Sequence, residues 1–388
     1  MQTIRTKRLF TGSSVLQNQE IKVQNGKIIS VHRHNGPFMY DNLAPGFFDT
    51  HINGGYVHHF THEPTLESLE DMYEASKATG APFLLACLIT SSLENIQKGI
   101  QAVRAFQVKY PTAGLLGMHL EGPFLSPKKR GAHLEKYLQL PTQEALDFII
   151  NEGKGVIQLL TIAPELFSAD QIATLREAGI TLSIGHSNAT YQEAAEAMQG
   201  GISLVTHLYN AMSGFGHREP GLVGATLTHP NVFAPIILDG YHCHFSAAKL
   251  AYEAKKESLF LVSDALFLGK KKERFIWEEF DATLTGEVYT NTEGNLAGGA
   301  LSLGEMVKNA VEKVQIPLKT ALEMATSRPA RALGMEKAVG YVKPNYPAVF
   351  TAFPNDLSTT NKMELKNKLS KINFIISGIY ETNKKKII

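Results

Sequence analysis

The sequence predicts an α/β protein built on a closed, TIM-like (β/α)8 barrel, with a small β domain that both chain ends form together. Three observations lead to this prediction. Near-continuous apolar runs alternate with amphipathic segments through the middle of the chain, which is typical of a parallel sheet covered on both faces. The side chains able to do chemistry cluster where those runs end. The two ends of the chain carry short alternating segments instead.

The ends of the chain have the pattern of short strands. The segments Ile21–Val23 and Lys27–Val31 alternate apolar and polar residues and are separated by Asn25-Gly26. This combination predicts a β-hairpin. Short β-like runs return near Pro347. The expected domains are residues 1–42 and 339–388 for the small β domain and residues 43–338 for the catalytic barrel.

Eight apolar runs form the predicted barrel strands. Eight parallel strands with helices between them favour a closed barrel over an open sheet, because in a barrel all the strand ends meet at one mouth. The runs are Leu43–His51, Phe83–Thr90, Leu115–Leu120, Val156–Ile162, Thr181–His186, Leu204–Leu208, Pro235–Leu238 and Leu259–Val262. The clearest helices are predicted at Leu66–Thr79, Gln143–Asn151, Ala169–Ala178 and Tyr191–Met198.

Composition argues against several classes of function. The chain has 38 Lys plus Arg and 37 Asp plus Glu, so no global charge attracts nucleic acid or an acidic membrane surface. No stretch approaches the ~18 apolar residues of a membrane span, and the N-terminus lacks the apolar core of a signal peptide. Cys87 and Cys243 lie in apolar runs, as buried reduced thiols do. We therefore expect a cytoplasmic protein without nucleic-acid or membrane partners.

Three residues at the ends of predicted strands have the chemistry of metal ligands. Glu121 follows the third run, His186 ends the fifth and His207 lies in the sixth. One carboxylate and two imidazoles suit Zn²⁺ or Fe²⁺ with open positions for water. Each residue alone could instead be a turn glutamate or a packed histidine. Asp264, after the eighth run, can take a proton from water and return it to a leaving amine, although a single aspartate there could also cap a helix.

Two loops favour recognition of an anion. Arg218 lies in a polar loop and can form a fork with a phosphate, or it can be a solvated loop charge. His242 and His244 share one face if the chain is extended there, so one can face the barrel mouth, or both can pack. The glycine-rich stretch 295–300 lacks the Gly-Lys-Ser/Thr ending of a phosphate loop, but its flexible backbone can cover a ligand.

Five motifs occur in a fixed order between about residues 43 and 334. They are Pro45-Gly46-Phe47-Phe48-Asp49-Thr50-His51, His119-Leu120-Glu121-Gly122-Pro123-Phe124, Gly185-His186-Ser187-Asn188-Ala189-Thr190, Thr206-His207-Leu208-Tyr209-Asn210-Ala211-Met212 and Arg218-Glu219-Pro220-Gly221. Together they closely resemble the N-acetylglucosamine-6-phosphate deacetylase family of the amidohydrolase superfamily.

The resemblance implies a metal-dependent hydrolase of amino-sugar catabolism. Such an enzyme converts N-acetyl-D-glucosamine 6-phosphate to D-glucosamine 6-phosphate and acetate. N-Acetylgalactosamine 6-phosphate, or another N-acyl compound, is an alternative substrate. A binding protein or sensor that has kept the fold without catalysis is an alternative of a different class, which the intact set of candidate ligands argues against.

The resemblance also implies roles for individual residues. Glu121, His186 and His207 would be the metal ligands, Asp264 the general base and then acid, and His133 a group that polarises the acetyl carbonyl. A partner subunit contributes to the phosphate site in this family, which implies a homodimer. The substrate-binding residues would be Ala132, Asn210, Ala211, Arg218, Asp239, Gly240, Tyr241, His242, Leu296, Ala297, Gly298 and Gly299, with Arg218 and His242 on the phosphate.

One departure from the superfamily pattern bears on the number of metal ions. Many members carry a His-x-His pair on the first strand that helps to bind a second metal, whereas His51-Ile52-Asn53 has only the first histidine. We therefore expect one divalent metal ion per subunit, Zn or Fe. His51 is a candidate ligand of a second site, where it would join Glu121.

Overall fold

The computed structural model describes residues 1–270 and 272–353, together with a strand at 373–376. The strands are β1 (Gln2–Phe10), β2 (Val15–Gln24), β3 (Lys27–Arg33), β4 (Tyr40–Pro45), β5 (Phe48–Ile52), β6 (Phe83–Ile89), β7 (Leu115–Glu121), β8 (Ile157–Ile162), β9 (Thr181–Ile184), β10 (Leu204–Val205), β11 (Ala234–Ile236), β12 (Leu259–Leu261), β13 (Arg274–Trp277), β14 (Phe280–Thr285), β15 (Val288–Asn291), β16 (Leu296–Gly299), β17 (Val349–Phe353) and β18 (Asn373–Ile376). The helices are α1 (Leu66–Ala78), α2 (Leu93–Lys109), α3 (Gln143–Gly153), α4 (Ala169–Glu177), α5 (Tyr191–Gln199), α6 (Gly221–Thr228), α7 (Phe245–Lys255), α8 (Leu303–Glu312), α9 (Leu318–Met324) and α10 (Ser327–Ala332).

The first of two compact units contains Met1–Phe48, Lys77–Phe83 and the chain from Leu303 onward. Its six-stranded sheet has the order β18-β17-β4-β1-β2-β3. Because β1–β4 come from the start of the chain and β17 and β18 from its end, the expected β domain made from both ends is confirmed. Residues 354–372 and 377–388 of the predicted C-terminal part lie outside the described residues. The domain boundaries between residues 42 and 43 and between residues 338 and 339 stay predictions.

The hairpin predicted at Asn25-Gly26 is confirmed by the pairing of β2 with β3. The φ angles of Asn25 and Gly26 are 51° and 72°, in the left-handed region that a tight hairpin turn requires and that these two residue types tolerate. In β2 and β17 the inward-facing Ile21 and Phe350 are completely buried. Their burial gives this sheet an apolar core.

The second unit contains Asp49–Ser76 and Leu84–Ser302, and it holds the barrel. Strands β5 to β10 form a sheet in consecutive order, and β11 pairs in parallel with β12. Parallel bridges join Leu204 of β10 to Phe233, just before β11, and Ile52 of β5 to Ala265, just after β12. The eight strands β5–β12 therefore close into a ring, which confirms the predicted (β/α)8 barrel.

The first predicted barrel strand, Leu43–His51, is wrong as a single element. The strand is interrupted at Gly46. Before it, β4 ends at Pro45 in the six-stranded sheet, and after it, β5 begins the barrel at Phe48. A Cβ at Gly46 would lie 2.5 Å from the ring of Pro82, so only glycine fits this bend.

The glycine-rich stretch, which the sequence suggested as a flexible cover over a ligand, forms a regular strand instead. Leu296–Gly299 is β16, the last strand of a four-stranded antiparallel sheet, β13-β14-β15-β16, that the sequence analysis did not predict. This sheet follows β12. Its Phe275, Phe280 and Tyr289 belong to one apolar cluster with Cys87 and Ile89 of β6.

Helix boundaries follow the predicted patterns closely. The helices α1, α3, α4 and α5 start at the predicted residues and end within two residues of the predicted ends. Two have complete capping boxes, in which Ser168 pairs with Gln171 before α4 and Thr190 with Glu193 before α5, so their free N–H groups are satisfied. Among the described residues, no helix combines the length and the apolar character that crossing a membrane requires.

Candidate active site

The candidate ligands converge because the barrel strands end at one mouth. Glu121 is the last residue of β7, while His186 and His207 each lie two residues beyond the ends of β9 and β10. Asp264 lies three residues beyond the end of β12. All four side chains belong to the second unit and line one cavity. The sequence prediction that these strand ends meet at one site is therefore confirmed in the structure.

The backbone bends sharply at three of these positions. His186, His207 and Asp264 have φ angles of 47°, 32° and 46°, a region that L residues other than glycine rarely adopt. Such conformations cost about 1–3 kcal/mol each and concentrate at functional sites, where surrounding contacts hold them. Here the bends turn the side chains from the strand direction into the cavity.

Glu121, His186 and His207 form a close set of donor atoms. Oε1 of Glu121 lies 3.0 Å from Nε2 of His207 and 3.2 Å from Nε2 of His186, and the two Nε2 atoms lie 3.2 Å apart. Ligands bound at ~2.0–2.1 Å in a tetrahedral arrangement lie about 3.3 Å from one another. The three separations therefore fit ligands of one metal ion.

The hydrogen bonding of His186 supports the same conclusion. Its Nδ1 lies 2.9 Å from the carbonyl oxygen of Lys129, to which it donates its proton. Nε2 is then the ring atom that faces Oε1 of Glu121 and Nε2 of His207. A ring held through Nδ1 in this way presents Nε2 as a ligand, so the donor set fits a metal ion.

The other oxygen of Glu121 faces a second group of side chains. Its Oε2 lies 3.2 Å from Nε2 of His51, 3.6 Å from Nε2 of His133 and 3.9 Å from Sγ of Cys87. Burial raises the pKa of Glu121, but the charge of His51 and hydrogen bonds from His133, His186 and His207 hold it well below the usual range. Glu121 is therefore an ionised carboxylate inside the barrel.

His133 reaches the cavity from the loop after β7. It is 5% exposed, its Nδ1 lies 2.8 Å from Oγ1 of Thr90, and its ring lies 4.3 Å from that of His186 between centroids. These contacts fix the ring and leave Nε2 on the cavity side, beside the donor set.

Two side chains from β5 and the loop after it support Asp264. Nδ2 of Asn53 donates to Oδ1 of Asp264 over 2.8 Å, and Oδ1 of Asp49 accepts from the backbone N–H groups of His51 and Ser263 at 3.2 Å each. Burial raises the pKa of Asp49 to about 6. These hydrogen bonds tie the loop that carries Asp264 to the end of β5.

The cavity has a volume of about 360 Å³, enough for a small phosphorylated sugar. Several predicted substrate-binding residues line it, and others do not. Those that line it are Ala132, Asn210, Ala211, His242, Leu296, Ala297 and Gly298, together with His133 and Asp264. Those outside the lining are Arg218, Asp239, Gly240, Tyr241 and Gly299.

Asp239 acts on the cavity through His242. Its Oδ1 accepts from the backbone N–H groups of Tyr241 and His242 at 2.8 Å each, and its Oδ2 lies 2.5 Å from Nδ1 of His242. These hydrogen bonds fix the ring of His242 through Nδ1, on the side away from Nε2. His244 instead accepts from Ser246 at the start of α7, so of the two histidines only His242 faces the site.

Arg218 lies on an exposed loop. Glu219 orders this loop, since its Oε1 accepts from the backbone N–H groups of Tyr191 and Gly221. Within its own chain, Arg218 is therefore not brought to the cavity.

Several residues that line the cavity were absent from the predicted site, among them Lys128, Lys129, Asn295 and His59. The two lysines belong to a single turn, Pro127–Lys129, that follows the Gly122-Pro123 motif. Their basic run was a usable signal of anion binding, but the run gives no indication that the turn folds over the cavity. His59 is completely buried against Phe275, and its sequence position carried no such signal.

The sequence model of the amidohydrolase family matches residues 42–379. N-Acetylgalactosamine-6-phosphate deacetylase of Shewanella sp. (strain ANA-3) is 38% identical over 290 residues, which are 74% of this chain and 73% of that protein. N-Acetylglucosamine-6-phosphate deacetylase of Haemophilus influenzae is 35% identical over 324 residues, 81% of this chain and 83% of that protein. The crystal structure of N-acetylglucosamine-6-phosphate deacetylase from Pasteurella multocida is similar with a TM-score of 0.85 and 30% identity, covering 92% of this chain and 96% of that one.

Proposed function

The chain belongs to the amidohydrolase family, and from that premise we propose that it hydrolyses the acetamide of N-acetyl-D-glucosamine 6-phosphate to D-glucosamine 6-phosphate and acetate. One observation carries the proposal. The donor set of Glu121, His186 and His207 lies beside Asp264 in one sugar-sized cavity, in a chain whose relatives are deacetylases of N-acetylhexosamine 6-phosphates.

We assign one divalent metal ion, Zn²⁺ or Fe²⁺, to Glu121, His186 and His207. Two imidazoles and a carboxylate suit either ion and leave positions open. When bound, such an ion lowers the pKa of a water molecule and polarises the acetyl carbonyl.

The side chains around the donor set transfer the proton of the attacking water and stabilise the charge that develops on the acetyl carbonyl. Asp264 accepts a proton as water adds to the acetyl carbon, and it delivers that proton to the nitrogen as the C–N bond breaks, so that acetate and the amine separate. Asn53 holds the carboxylate in position for both transfers. His133, whose Nε2 faces the donor set, stabilises the negative charge that develops on the carbonyl oxygen.

We place the phosphate beside His242, Lys128 and Lys129, which line the cavity. Nε2 of His242, which Asp239 fixes, and the ammonium groups of Lys128 and Lys129 supply the contacts, and these hold the acetamide in register for attack. Arg218 is exposed and does not line its own cavity. This placement supports a homodimer in which Arg218 serves the phosphate site of the partner.

The galacto epimer is the second candidate substrate, and one specific observation favours it: the relative with 38% identity is an N-acetylgalactosamine-6-phosphate deacetylase. The two sugars differ in configuration at one carbon. Rates of acetate release from both sugar phosphates, and from both unphosphorylated sugars, separate the candidates. We expect the gluco phosphate to have the higher kcat/KM and both unphosphorylated sugars to be poor substrates. Equal rates with and without phosphate would contradict the phosphate site.

Asp264→Asn tests catalysis against a purely binding role. The amide cannot accept the proton, so we expect turnover to fall by about 10²–10⁴ while metal content and sugar-phosphate affinity persist. A variant with unchanged turnover would remove Asp264 as the acid and base. The two free, buried cysteines fit the reducing cytoplasm that we propose as the location.

A further inference from the structure

Two turns of the four-stranded sheet β13–β16 carry carboxylates that the proposed reaction does not use. The strands of this sheet follow one another in order, and in such an antiparallel sheet the first and third turns lie at the same end. The turn between β13 and β14 contains Glu278 and Glu279, and the turn between β15 and β16 contains Glu293. One end of the sheet is therefore acidic.

The loop after β7 meets this acidic end with two cations. Nη2 of Arg130 lies 3.0 Å from Oε1 and 2.9 Å from Oε2 of Glu293. Nζ of Lys136 lies 2.9 Å from Oε2 of Glu278 and 2.8 Å from Oε2 of Glu279. We call residues 127–137 the His133 loop. Because opposite charges meet at both points, the His133 loop is docked against one end of the sheet.

Arg130 also binds the backbone of its own loop. Its Nη1 donates to the carbonyl oxygens of Gly131 and His133 over 3.1 Å each, and the backbone N–H of His133 donates to the carbonyl oxygen of Arg130 over 3.1 Å. A guanidinium presents its N–H groups in fixed directions, so one side chain connects the turn to the carboxylate of Glu293. Among the described residues, the ammonium group of Lys136 donates hydrogen bonds to carboxylates and to no backbone carbonyl.

The backbone of His133 depends on Arg130 more than its ring does. The ring is held through Nδ1, which lies 2.8 Å from Oγ1 of Thr90. The carbonyl oxygen of His133 accepts from Arg130 alone among the described residues. The turn before it is fixed separately, since the carbonyl oxygen of Lys129 accepts from His186. Loss of the Arg130 contacts would therefore affect His133 and leave the phosphate-binding lysines in place.

We propose that Arg130 and Glu293 are positioning residues for His133. Glu293 fixes the guanidinium, the guanidinium fixes the turn that ends at His133, and this turn sets where Nε2 of His133 lies relative to the acetyl carbonyl. The side chain of Arg130 is 25% exposed, so water screens this pair less than a fully exposed one. The inference rests on the proposed function, because His133 acts on the reacting carbonyl oxygen there.

A double-mutant cycle tests whether Arg130 acts through His133. Arg130→Met keeps an apolar stem but removes every N–H donor. Alone, it should lower kcat for N-acetylglucosamine 6-phosphate about tenfold and change KM less than about threefold. In a His133→Asn background the same substitution should change kcat less than about twofold, because the group it positions is absent. Lys136→Met is the matched control, and its kcat should stay within about twofold of the wild type.

Two kinetic outcomes would overturn the proposal. One is a loss in Arg130→Met that multiplies with the loss in His133→Asn, since independent effects add in free energy. The other is an equal loss in Lys136→Met, which would show that docking of the whole loop matters and not the turn at His133. Glu293→Gln provides a second variant at an exposed position, and its kcat should fall about threefold, since the neutral amide still accepts a hydrogen bond.

Exchange of backbone amide hydrogens in residues 130–133 gives a measurement that is independent of activity. It should be faster than in the wild type in Arg130→Met and Glu293→Gln, and unchanged in Lys136→Met. Equal exchange in all four proteins would show that the pair does not hold this turn. A wild type that shows the expected exchange pattern but does not hydrolyse the sugar phosphate would disprove the proposed function while supporting the positioning of His133.

Discussion

Asn53 offers the sharpest test of how the proton-transfer group is held. The amide Nδ2 donates to Oδ1 of Asp264 over 2.8 Å, while Oδ1 of Asn53 has no hydrogen-bond partner among the described residues. Asn53→Ala therefore removes one hydrogen bond, and Asp264 is the only described residue that loses a hydrogen-bond partner. The backbone bonds of Asn53, to Ala265 and from Phe60, do not depend on the side chain.

The expected loss follows from the kind of bond. A hydrogen bond to a charged acceptor contributes about 1.5–3 kcal/mol, and each 1.36 kcal/mol of lost transition-state stabilisation is about a tenfold loss of rate. We expect kcat for N-acetylglucosamine 6-phosphate to fall by about 10- to 150-fold, with KM changed by less than about threefold, because Asp264 acts on the reacting atoms rather than on ground-state binding.

The assay is steady-state release of acetate, with metal content measured on the same samples. Asn295→Ala is the matched control, since Asn295 also lines the cavity but its side chain bonds to Glu293 and to the carbonyl oxygen of Gly131. It should lose less than about tenfold, because neither of its hydrogen bonds reaches Asp264. A fully metallated Asn53→Ala enzyme with a kcat within about threefold of the wild type would refute the positioning argument.

Four further substitutions test other parts of the structure. Asp239→Asn frees the ring of His242, so KM for the sugar phosphate should rise about tenfold with kcat nearly unchanged; a normal KM in steady-state kinetics would show that His242 needs no such support. Lys128→Ala and Lys129→Ala should each raise KM about two- to fivefold for the phosphorylated sugar only, whereas equal effects on the unphosphorylated sugar would exclude a phosphate contact. Burial lowers the pKa of Lys255 to about 8, so between pH 8 and 10.5 the unfolded chain binds more protons there and stability rises with pH. Urea unfolding should show about 2 kcal/mol of this rise between pH 8 and 9.5, and Lys255→Met should abolish it.

The barrel and its central donors could be predicted from sequence because both depend on local pattern. A parallel strand buried on both faces is continuously apolar, so runs such as Val156–Ile162 stand out from their surroundings. A polar residue directly after such a run, like Glu121 or His186, must lie at the strand tip. Chain geometry then brings those tips together without any knowledge of packing.

The features that were missed depend on tertiary structure. The strands β13–β16 are short and half-exposed, and they interrupt the strand–helix repeat instead of continuing it. The break at Gly46 depends on the approach of Pro82, 36 positions further along the chain. The turn that carries Lys128 and Lys129 is fixed beside the site by a hydrogen bond from Nδ1 of His186 to the carbonyl oxygen of Lys129. No local sequence pattern indicates this contact.

The barrel closes where the end of β5 meets the loop after β12, and we call this contact the seam. It joins parts of the chain that are synthesised far apart in time. Asn53 and Asp264, which meet across this seam, are 211 residues apart in the chain, whereas Glu121, His186 and His207 all lie within an 87-residue stretch of it. On the ribosome, strands β7–β10 and their metal donors emerge well before β12. The proposed metal ligands are therefore synthesised before Asp264, and the proposed proton transfer requires the last strand to pair with the first.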